Sequence, residues 1–198
     1  MNSTFSVYLR LGLDHILDLS GYDHILFVVA LAALYTLHRW RHLLILVTAF
    51  TLGHSLTLAL ATLDMVRVDS GLVEFLIPLT ILTTALLNIG ETVLDPQLRE
   101  TDIESRRVWQ AKYVLAAAFG LIHGLGFSNF LRAVLGGEES LLLPLLAFNI
   151  GLEVGQIVIL GVVLVLAEAA TRTAVVSRRT WGLIVSALVV LITLTILF

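Results

Sequence analysis

Long apolar segments restrict this chain to structures that cross a lipid bilayer. They follow one another with short polar connections, and most are close to the about 20 residues that span a hydrocarbon core as a helix. Hydrophobic residues make up 58% of the 198 residues and charged residues 14%, whereas soluble domains are about 45–50% apolar and about 25% charged. The sequence therefore predicts an all-α, polytopic membrane helix bundle with about six transmembrane helices, forming a single domain over residues 1–198. The predicted spans are residues 22–37, 43–63, 72–94, 109–131, 140–167 and 180–198.

The start of the chain is less apolar than the segments that follow. Charged side chains interrupt its apolar positions, a pattern typical of an amphipathic helix at the membrane interface rather than of a cleaved signal. We expect residues 1–20 to lie at that interface and all spans to fall within 22–198. Residues 12–17 (Gly-Leu-Asp-His-Ile-Leu) echo residues 21–26 (Gly-Tyr-Asp-His-Ile-Leu), either by local duplication or by coincidence.

Lysine and arginine are concentrated in alternate loops. Of the 12 such residues, nine fall in the connections after the first, third and fifth predicted spans, and three fall elsewhere. Because positive residues favour cytoplasmic loops, these connections are predicted to face the cytoplasm and both termini to be extracytoplasmic. The nine are Arg39, Arg41, Arg99, Arg106, Arg107, Lys112, Arg172, Arg178 and Arg179.

Five ionisable side chains, carried by four of the predicted spans, lie at compatible depths. A charge at the centre of a membrane helix costs about 2.5–3.5 kcal/mol on insertion scales, so the groups retained there usually serve a site. A helical rise of about 1.5 Å per residue places the first-span groups, Asp23 and His24, at the outer mouth of the bundle. Deeper groups, near the midplane, form the floor of the predicted site: His54, His123 and Glu153.

Further polar residues extend this pattern. On spans three and five they recur at spacings of three and four, which places them on one face of each helix. Span three continues the polar face toward the cytoplasmic side, as an ion path requires. Groups of this kind also hold membrane helices together, so interhelical packing is their alternative role. The predicted path and supporting residues are Thr51, Ser55, Asn88, Glu91, Asn149 and Gln156.

The ligand chemistry of the predicted site suits a divalent transition metal ion. The chain has no cysteine, so thiolate ligands and disulfides are excluded. Imidazole suits zinc, nickel and other first-row metals, while carboxylates either ligate the ion or orient the imidazoles. Because ligation requires neutral imidazole, we expect binding to weaken as the pH falls. The predicted ligands of nickel, cobalt or zinc are Asp23, His24, His54, His123 and Glu153.

Four blocks of sequence combine glycine with these ionisable and polar residues. The glycines of span four allow close backbone approach or a break in the helix, as occurs at sites in membrane proteins. Each block is a weak signal alone, whereas the four together are specific. They read Gly21-x-Asp23-His24, Thr-Ala-Phe-Thr-Leu-Gly-His-Ser-Leu-Thr-Leu at 48–58, Phe-Gly-Leu-Ile-His-Gly-Leu-Gly-Phe at 119–127 and Phe-Asn-Ile-Gly-Leu-Glu-Val-Gly-Gln at 148–156.

In these blocks the chain resembles the HupE/UreJ family, and the resemblance extends over residues 21–166. It implies a multi-pass protein of the prokaryotic inner membrane that acts as a nickel or cobalt permease. The family signature H-P-x-x-G-x-D-H is retained only in its second half, because Leu17 and Asp18 stand at its first two positions. The chain is therefore similar to a divergent branch of the family, for which the resemblance implies a metal-binding role more firmly than it implies nickel.

A permease is the first functional hypothesis. Ions would enter from the extracytoplasmic side, bind at the predicted site and pass Glu153 toward Asn88 and Glu91. The partners would be the lipid bilayer and the metal ion, since a net charge of −3 gives no indication of nucleic-acid binding. No internal repeat is evident from the sequence.

An intramembrane zinc-dependent hydrolase is the alternative, acting on a lipid or membrane peptide from the extracytoplasmic side. A zinc ion held by three ligands lowers the pKa of its bound water to about 7. Glu153 or Asp23 would then act as general base, and Asn149 or Ser55 would stabilise an oxyanion. A third possibility is a small membrane subunit whose polar groups only join helices.

Overall fold

Helices make up the whole architecture of the part of the chain that the structure describes. This structure, a computed structural model, describes residues 4–19, 21–94, 106–135, 140–173 and 176–198. It is 87% helix, and a single 3₁₀ turn, Leu37–Arg39, precedes the third helix. Arg99, which contributes to the predicted charge asymmetry, lies outside the described residues. The helices are α1 (Thr4–Leu17), α2 (Asp23–Ala32), α3 (Trp40–Thr62), α4 (Ser70–Leu94), α5 (Arg106–Gly126), α6 (Ser128–Leu135), α7 (Leu142–Arg172) and α8 (Arg178–Leu197).

Four of the described helices, α3, α4, α7 and α8, are long and apolar enough to cross a membrane. A fifth candidate is the pair α5 and α6, which bends by 54° at Phe127. Helix α2 has only 10 residues, about 15 Å of helix, whereas a hydrocarbon core is about 30 Å thick. The all-helical, multi-pass membrane bundle predicted from the sequence is confirmed, while the number of six spans and the sides of the termini remain predictions.

The long helices alternate in direction. At one end of the bundle, called here the basic end, residues 33–36 meet the end of α7 and Arg178 at the start of α8. Tyr35 also lines a cavity there with Lys112 of α5 and Glu91 of α4, whose side chains form a 2.8 Å ion pair. At the opposite end, the end of α3 and the start of α4 line a polar cavity with the junction of α5 and α6. Helices α3, α5 and α8 therefore begin at the basic end, where α2, α4 and α7 finish.

Two helix pairs make the closest backbone contacts, α3 with α5 and α1 with α7. A Cβ atom built on Gly120 would lie 2.1 Å from the carbonyl oxygen of Phe50, so only glycine permits this approach. Helix α1 packs equally closely on α7, and its residues Tyr8 and Ile16 are buried. The segment expected at the membrane interface thus forms a helix whose apolar face is covered by protein.

Candidate metal centre

Breaks in two helices position four of the side chains at the centre of the bundle. His15 lies in the last turn of α1, and Asp23 and His24 begin α2 after the break between the two helices. His123 lies in the last turn of α5, just before the bend at Phe127. The end of α1, the start of α2 and the end of α5 lie close together, so their side chains share one space.

The four imidazoles of His15, His24, His54 and His123 form one group, called here the histidine cluster. His24 is the central ring: the ring centroids of His15, His123 and His54 lie 4.8, 5.1 and 5.7 Å from its own. His24, His54 and His123 are buried, with 4%, 1% and 0% of their surface exposed. His24 therefore lies beside His54 and His123, with which the sequence predicts it to share a site, and its expected depth at the outer mouth stays a prediction.

Asp23, His24 and His123 come closest together. Each offers one ligand atom, and these atoms all lie within 4.8 Å of one another, a separation suited to one metal ion. The Asp23 side chain keeps 29% of its surface exposed, while that of His24 keeps 5%. The carboxylate therefore lies on the accessible side of the group and the imidazoles on the inner side.

The Asp23 carboxylate orients His24. Its Oδ1 atom lies 3.2 Å from Nδ1 of His24 and also accepts a 2.9 Å hydrogen bond from the His24 backbone amide. A carboxylate partner makes Nδ1 the protonated nitrogen of a neutral ring, which leaves the lone pair on Nε2. An Asp that holds an imidazole in this way is a frequent partner of metal-ligating histidines.

A threonine on α4 orients His123. The Thr80 hydroxyl donates to the carbonyl of Ile77 at 2.7 Å, so its single hydrogen is engaged. Its oxygen also lies 2.9 Å from Nε2 of His123 and must therefore accept a hydrogen bond from that nitrogen. The neutral ring then carries its lone pair on Nδ1.

Several nitrogens of the histidine cluster are buried with no hydrogen-bond partner among the described residues. They include Nε2 of His24 and Nδ1 of His123, the two atoms that carry lone pairs in the tautomers above. The Nε2 atom of His15 and both ring nitrogens of His54 are in the same condition. Burying an unpaired polar atom costs about 1–3 kcal/mol. Nitrogen lone pairs directed into a common space are the donor set that a first-row transition metal requires.

Phenylalanine rings enclose the histidine cluster. Phe127 lies against His15 with 3.8 Å between ring centroids and stacks on Phe148 at 5.4 Å. Phe50 and Phe27 lie 5.1 and 5.2 Å from His123. This apolar shell lowers the local dielectric constant and limits the access of water.

Other predicted site residues do not join this group. Glu153 accepts a 2.7 Å hydrogen bond from Thr48, and Gln156 accepts one of 2.8 Å from Thr51, so these two pairs join α7 to α3. Glu153 is absent from the group of ligand atoms that the described residues bring together. The face of α7 predicted to be polar is thus directed at α3, where it makes interhelical hydrogen bonds.

The remaining predicted residues bond mainly to backbone atoms. Ser55 donates to the carbonyl of Thr51 at 2.6 Å, and Asn149 donates to that of Leu145 at 2.8 Å, each within its own helix. Asn88 donates to the carbonyl of Ala30 at 2.7 Å, which ties α4 to α2. Glu91 is paired with Lys112 near the basic end.

Two residues near the site were not predicted to take part in it. His15 was assigned to the interfacial segment, although residues 12–15 (Gly-Leu-Asp-His) resemble residues 120–123 (Gly-Leu-Ile-His) around His123. Thr80 stands on the polar face of α4, but only the packing of α4 against α5 shows that it meets His123. His15 therefore had a signal in a repeated motif, whereas Thr80 had only its place on a polar face, which does not indicate its partner.

The fold and the centre define a multi-pass helical membrane protein with a buried group of imidazoles and a carboxylate. The family model for HupE / UreJ protein matches residues 1–198, and the chain therefore belongs to the HupE/UreJ family. This family is associated with nickel and cobalt transport. Comparison with curated proteins and with solved structures gives no match.

Proposed function

We propose that this protein carries nickel or cobalt ions across the prokaryotic cytoplasmic membrane. It would act as a single membrane domain of six spans with both termini extracytoplasmic. Asp23, His24 and His123 would bind the ion, and His54 and His15 would supply further nitrogen ligands as it moves. The ion is the substrate of the protein rather than a permanent part of it.

The observation that carries this proposal is the meeting of Asp23, His24 and His123 within 4.8 Å, inside the helix bundle. A half-buried carboxylate with buried imidazoles suits nickel, cobalt and zinc better than magnesium or calcium, which prefer oxygen ligands. Membership of a family associated with nickel and cobalt transport favours the first two metals. Transport also fits an incomplete ligand set, since a permeating ion must be able to leave.

The proposed orientation rests on the arginine-rich basic end, which would face the cytoplasm. Ions would enter from the opposite end, where the junction of α5 and α6 lines the polar cavity. That cavity has a volume of about 390 Å³. Asp23 would meet the ion first, because it is the most exposed of the three proposed ligands.

A zinc-dependent hydrolase has weaker support. Glu153 is bonded to Thr48, while Ser55 and Asn149 each donate to a carbonyl of their own helix. Asp23 is the one acid within the group of possible metal ligands, and it is already bonded to His24. The described residues therefore offer no separate general base beside the imidazoles.

Metal binding and metal flux should be measured on the same purified chain. Binding is followed by isothermal titration with nickel and cobalt, and flux by a metal-sensitive dye inside proteoliposomes. His123→Ala is the test variant, and His38→Ala is the control, because His38 is exposed and stands outside the histidine cluster. We expect His123→Ala to lose about 10- to 100-fold in affinity, as is typical when metal sites are disturbed, and to lose flux, while His38→Ala keeps both.

Each outcome bears on the proposal. Nickel or cobalt uptake that requires His123 supports a permease. Zinc that remains bound at one ion per chain, with no flux of any metal, overturns the permease and favours the hydrolase. Equal behaviour of His123→Ala and His38→Ala removes the proposed site.

A further inference from the structure

The crossing of α1 with α7 has a specific geometry. A Cβ on Gly12 would lie 2.1 Å from the carbonyl oxygen of Phe148, which is three residues before Gly151. A Cβ on Gly151 would lie 2.1 Å from the carbonyl oxygen of Leu9, which is three residues before Gly12. Each glycine therefore fits over the peptide group one turn before its partner glycine.

The crossing of α3 with α5 repeats this geometry. A Cβ on Gly53 would lie 2.2 Å from the carbonyl oxygen of Ala117, three residues before Gly120. A Cβ on Gly120 would lie 2.1 Å from that of Phe50, three residues before Gly53. The two helix pairs thus share one reciprocal arrangement, in which α1 corresponds to α5 and α7 to α3.

The sequences at the two crossings correspond in the same way. Residues 12–15 (Gly-Leu-Asp-His) match residues 120–123 (Gly-Leu-Ile-His), with His15 and His123 in the same place. On the partner helices, Ala-Phe-Thr-Leu-Gly at 49–53 matches Ala-Phe-Asn-Ile-Gly at 147–151. A correspondence in sequence and in backbone contact together indicates an internal repeat.

The correspondence extends to the helices that follow. Helix α1 ends at Leu17, two residues after His15, and α5 ends at Gly126, three residues after His123. A short helix comes next in each case: α2 packs on α7, and α6 packs on α3. Helices α4 and α8, which complete the two halves, pack on each other.

The two halves run in opposite directions. Along α1 and α7 the contacts advance together, since Gly12 meets Phe148 and Gly155 meets Ile16, so these helices are parallel. Helices α3 and α5 are parallel by the same criterion, because Gly124 meets the carbonyl of His54, one turn beyond the contact of Gly120. Since α3 begins and α7 finishes at the basic end, α1 must run opposite to α5.

We infer that residues 4–94 and 106–197 are two inverted-topology repeats related by an approximate twofold axis. The repeats contribute His15 and His123 as equivalent imidazoles to a site on that axis, and they exchange conformations during transport. This inference rests on the proposed function. Each repeat holds three spans, of which the first is broken just after its histidine. Inverted repeats with broken helices at a central site are a common design of secondary transporters, in which one repeat moves against the other.

The two repeats do not have the same conformation here. Helix α2 packs against α4 and α8 in addition to α7, and Asn88 joins it to α4. Its counterpart α6 packs mainly on α3 and α5 among the described helices and lines the polar cavity at the opposite end. Helix α2 is thus held among three long helices, whereas α6 borders the polar cavity. Exchanging the two conformations would release α2 from α4 and α8 and pack α6 against them.

Thiol labelling tests this exchange, and the absence of native cysteine makes single-cysteine variants simple to interpret. Ala30→Cys reports on α2, since Ala30 is fully buried and its carbonyl is bonded to Asn88. Asn129→Cys reports on α6 from the polar cavity. Met65→Cys in the loop between α3 and α4 is the control, with 69% of its residue surface exposed. Each is labelled in proteoliposomes by an impermeant reagent added from one side at a time.

We expect saturating nickel to change the labelling rates of Ala30→Cys and Asn129→Cys in opposite directions and to leave Met65→Cys unchanged. Ala30→Cys should react only from the basic-end side. Rates that move together, or an Ala30→Cys thiol that never reacts, would overturn the exchange of conformations. This readout does not depend on flux. Opposite changes in labelling without nickel uptake would contradict the proposed substrate and support the repeats. Nickel uptake without opposite changes in labelling would support the proposed substrate and contradict the exchange between repeats.

Equivalence of the two histidines is tested by affinity. His15→Ala and His123→Ala should weaken nickel binding to a similar extent, about 10- to 100-fold, with His42→Ala in the exposed part of α3 as the control. Thermal unfolding of each variant without metal shows whether it has folded. A folded His15→Ala variant that binds nickel as the wild type does would remove His15 from the site.

Discussion

The Thr80 hydroxyl oxygen lies 2.9 Å from Nε2 of His123, while its hydrogen is donated to the carbonyl of Ile77. A threonine on one membrane helix therefore selects the tautomer of an imidazole on another. The lone pair of His123 is directed away from α4 and toward the histidine cluster. Thr80 is a positioning residue, since it would act on the metal only through His123.

Thr80→Val should lower nickel affinity by about 10- to 100-fold, the usual cost of losing the partner of a metal-ligating histidine. Valine keeps the shape of the side chain but removes the acceptor, so His123 is no longer held in one tautomer. Thr84→Val is the matched control, because the Thr84 hydroxyl donates to the carbonyl of Thr80 at 2.9 Å within α4. Isothermal titration of both variants measures the difference, and equal losses would show that any buried hydroxyl on α4 has this effect.

The two acids predicted as ligands should behave differently. Asp23→Asn removes the carboxylate within reach of His24 and His123 and should reduce nickel affinity at least about tenfold. Glu153→Gln keeps an acceptor for Thr48 and lies outside that group, so its affinity should stay close to that of the wild type. Titration of nickel into both variants measures the two affinities. A larger loss of affinity in Glu153→Gln than in Asp23→Asn would place the ion beside α7.

Much of this architecture can be read from the sequence, because a bilayer requires long apolar helices of nearly uniform length. Alternate basic loops and the glycine-rich blocks identified the helices that carry the imidazoles. The participation of α1 in the site was not predictable in the same way. Helix α1 carries Arg10 and Asp14, and with 14 residues it is too short to be recognised as part of a span. Packing through Gly12 places it beside α7, and His15 in its last turn lies 4.8 Å from His24 between ring centroids.

The rotation of α7 about its axis was also beyond the sequence. The spacing of Asn149, Glu153 and Gln156 predicts a polar face, and two of these residues bond to threonines of α3. Periodicity specifies such a face but leaves open whether it meets a cavity or a neighbouring helix. The glycine contacts of Gly151 and Gly155 with α1 set the rotation, and Glu153 consequently meets Thr48 on α3.

The glycine crossings should respond strongly to one methyl group. Gly120→Ala would place a Cβ 2.1 Å from a backbone oxygen, and since backbone cannot yield as a side chain does, we expect a loss of about 1–3 kcal/mol in the free energy of unfolding. Gly161→Ala is the control, because its Cβ would have no described atom within 4 Å. There alanine should stabilise the helix by about 0.5–1 kcal/mol. Thermal unfolding in one detergent compares the two, and similar melting temperatures would contradict the close contact.

An ion-pair cluster at the opposite end predicts a pH dependence of stability. A hydrogen bond from Arg67 lowers the pKa of Asp64, and the Arg132 guanidinium on α6 also contacts this carboxylate, at 2.9 Å. A pKa below the unfolded value stabilises the fold at neutral pH, and this contribution is lost as the pH falls through the lowered pKa.

Asp64→Asn should therefore melt below the wild type at pH 7, with the two melting temperatures converging in strong acid. Asparagine tolerates the positive backbone angle of 61° at this position, so the comparison isolates the charge. Because the cluster is exposed, added salt should reduce the difference. A difference in melting temperature that stays unchanged from neutral to strongly acidic pH would exclude a contribution from the carboxylate.

Under the proposed function, the phenylalanines around the histidine cluster affect which ions can pass. A divalent ion arrives in water with a complete hydration shell, and the rings of Phe27, Phe50 and Phe127 offer no oxygen to replace it. The ion must therefore exchange water for nitrogen one ligand at a time. Magnesium gives up its water reluctantly and gains little from imidazole, whereas nickel and cobalt recover the cost through bonds to nitrogen. Under the proposed function the apolar wall would make dehydration costly for every divalent ion, and only ions that bind imidazole nitrogen strongly would recover that cost.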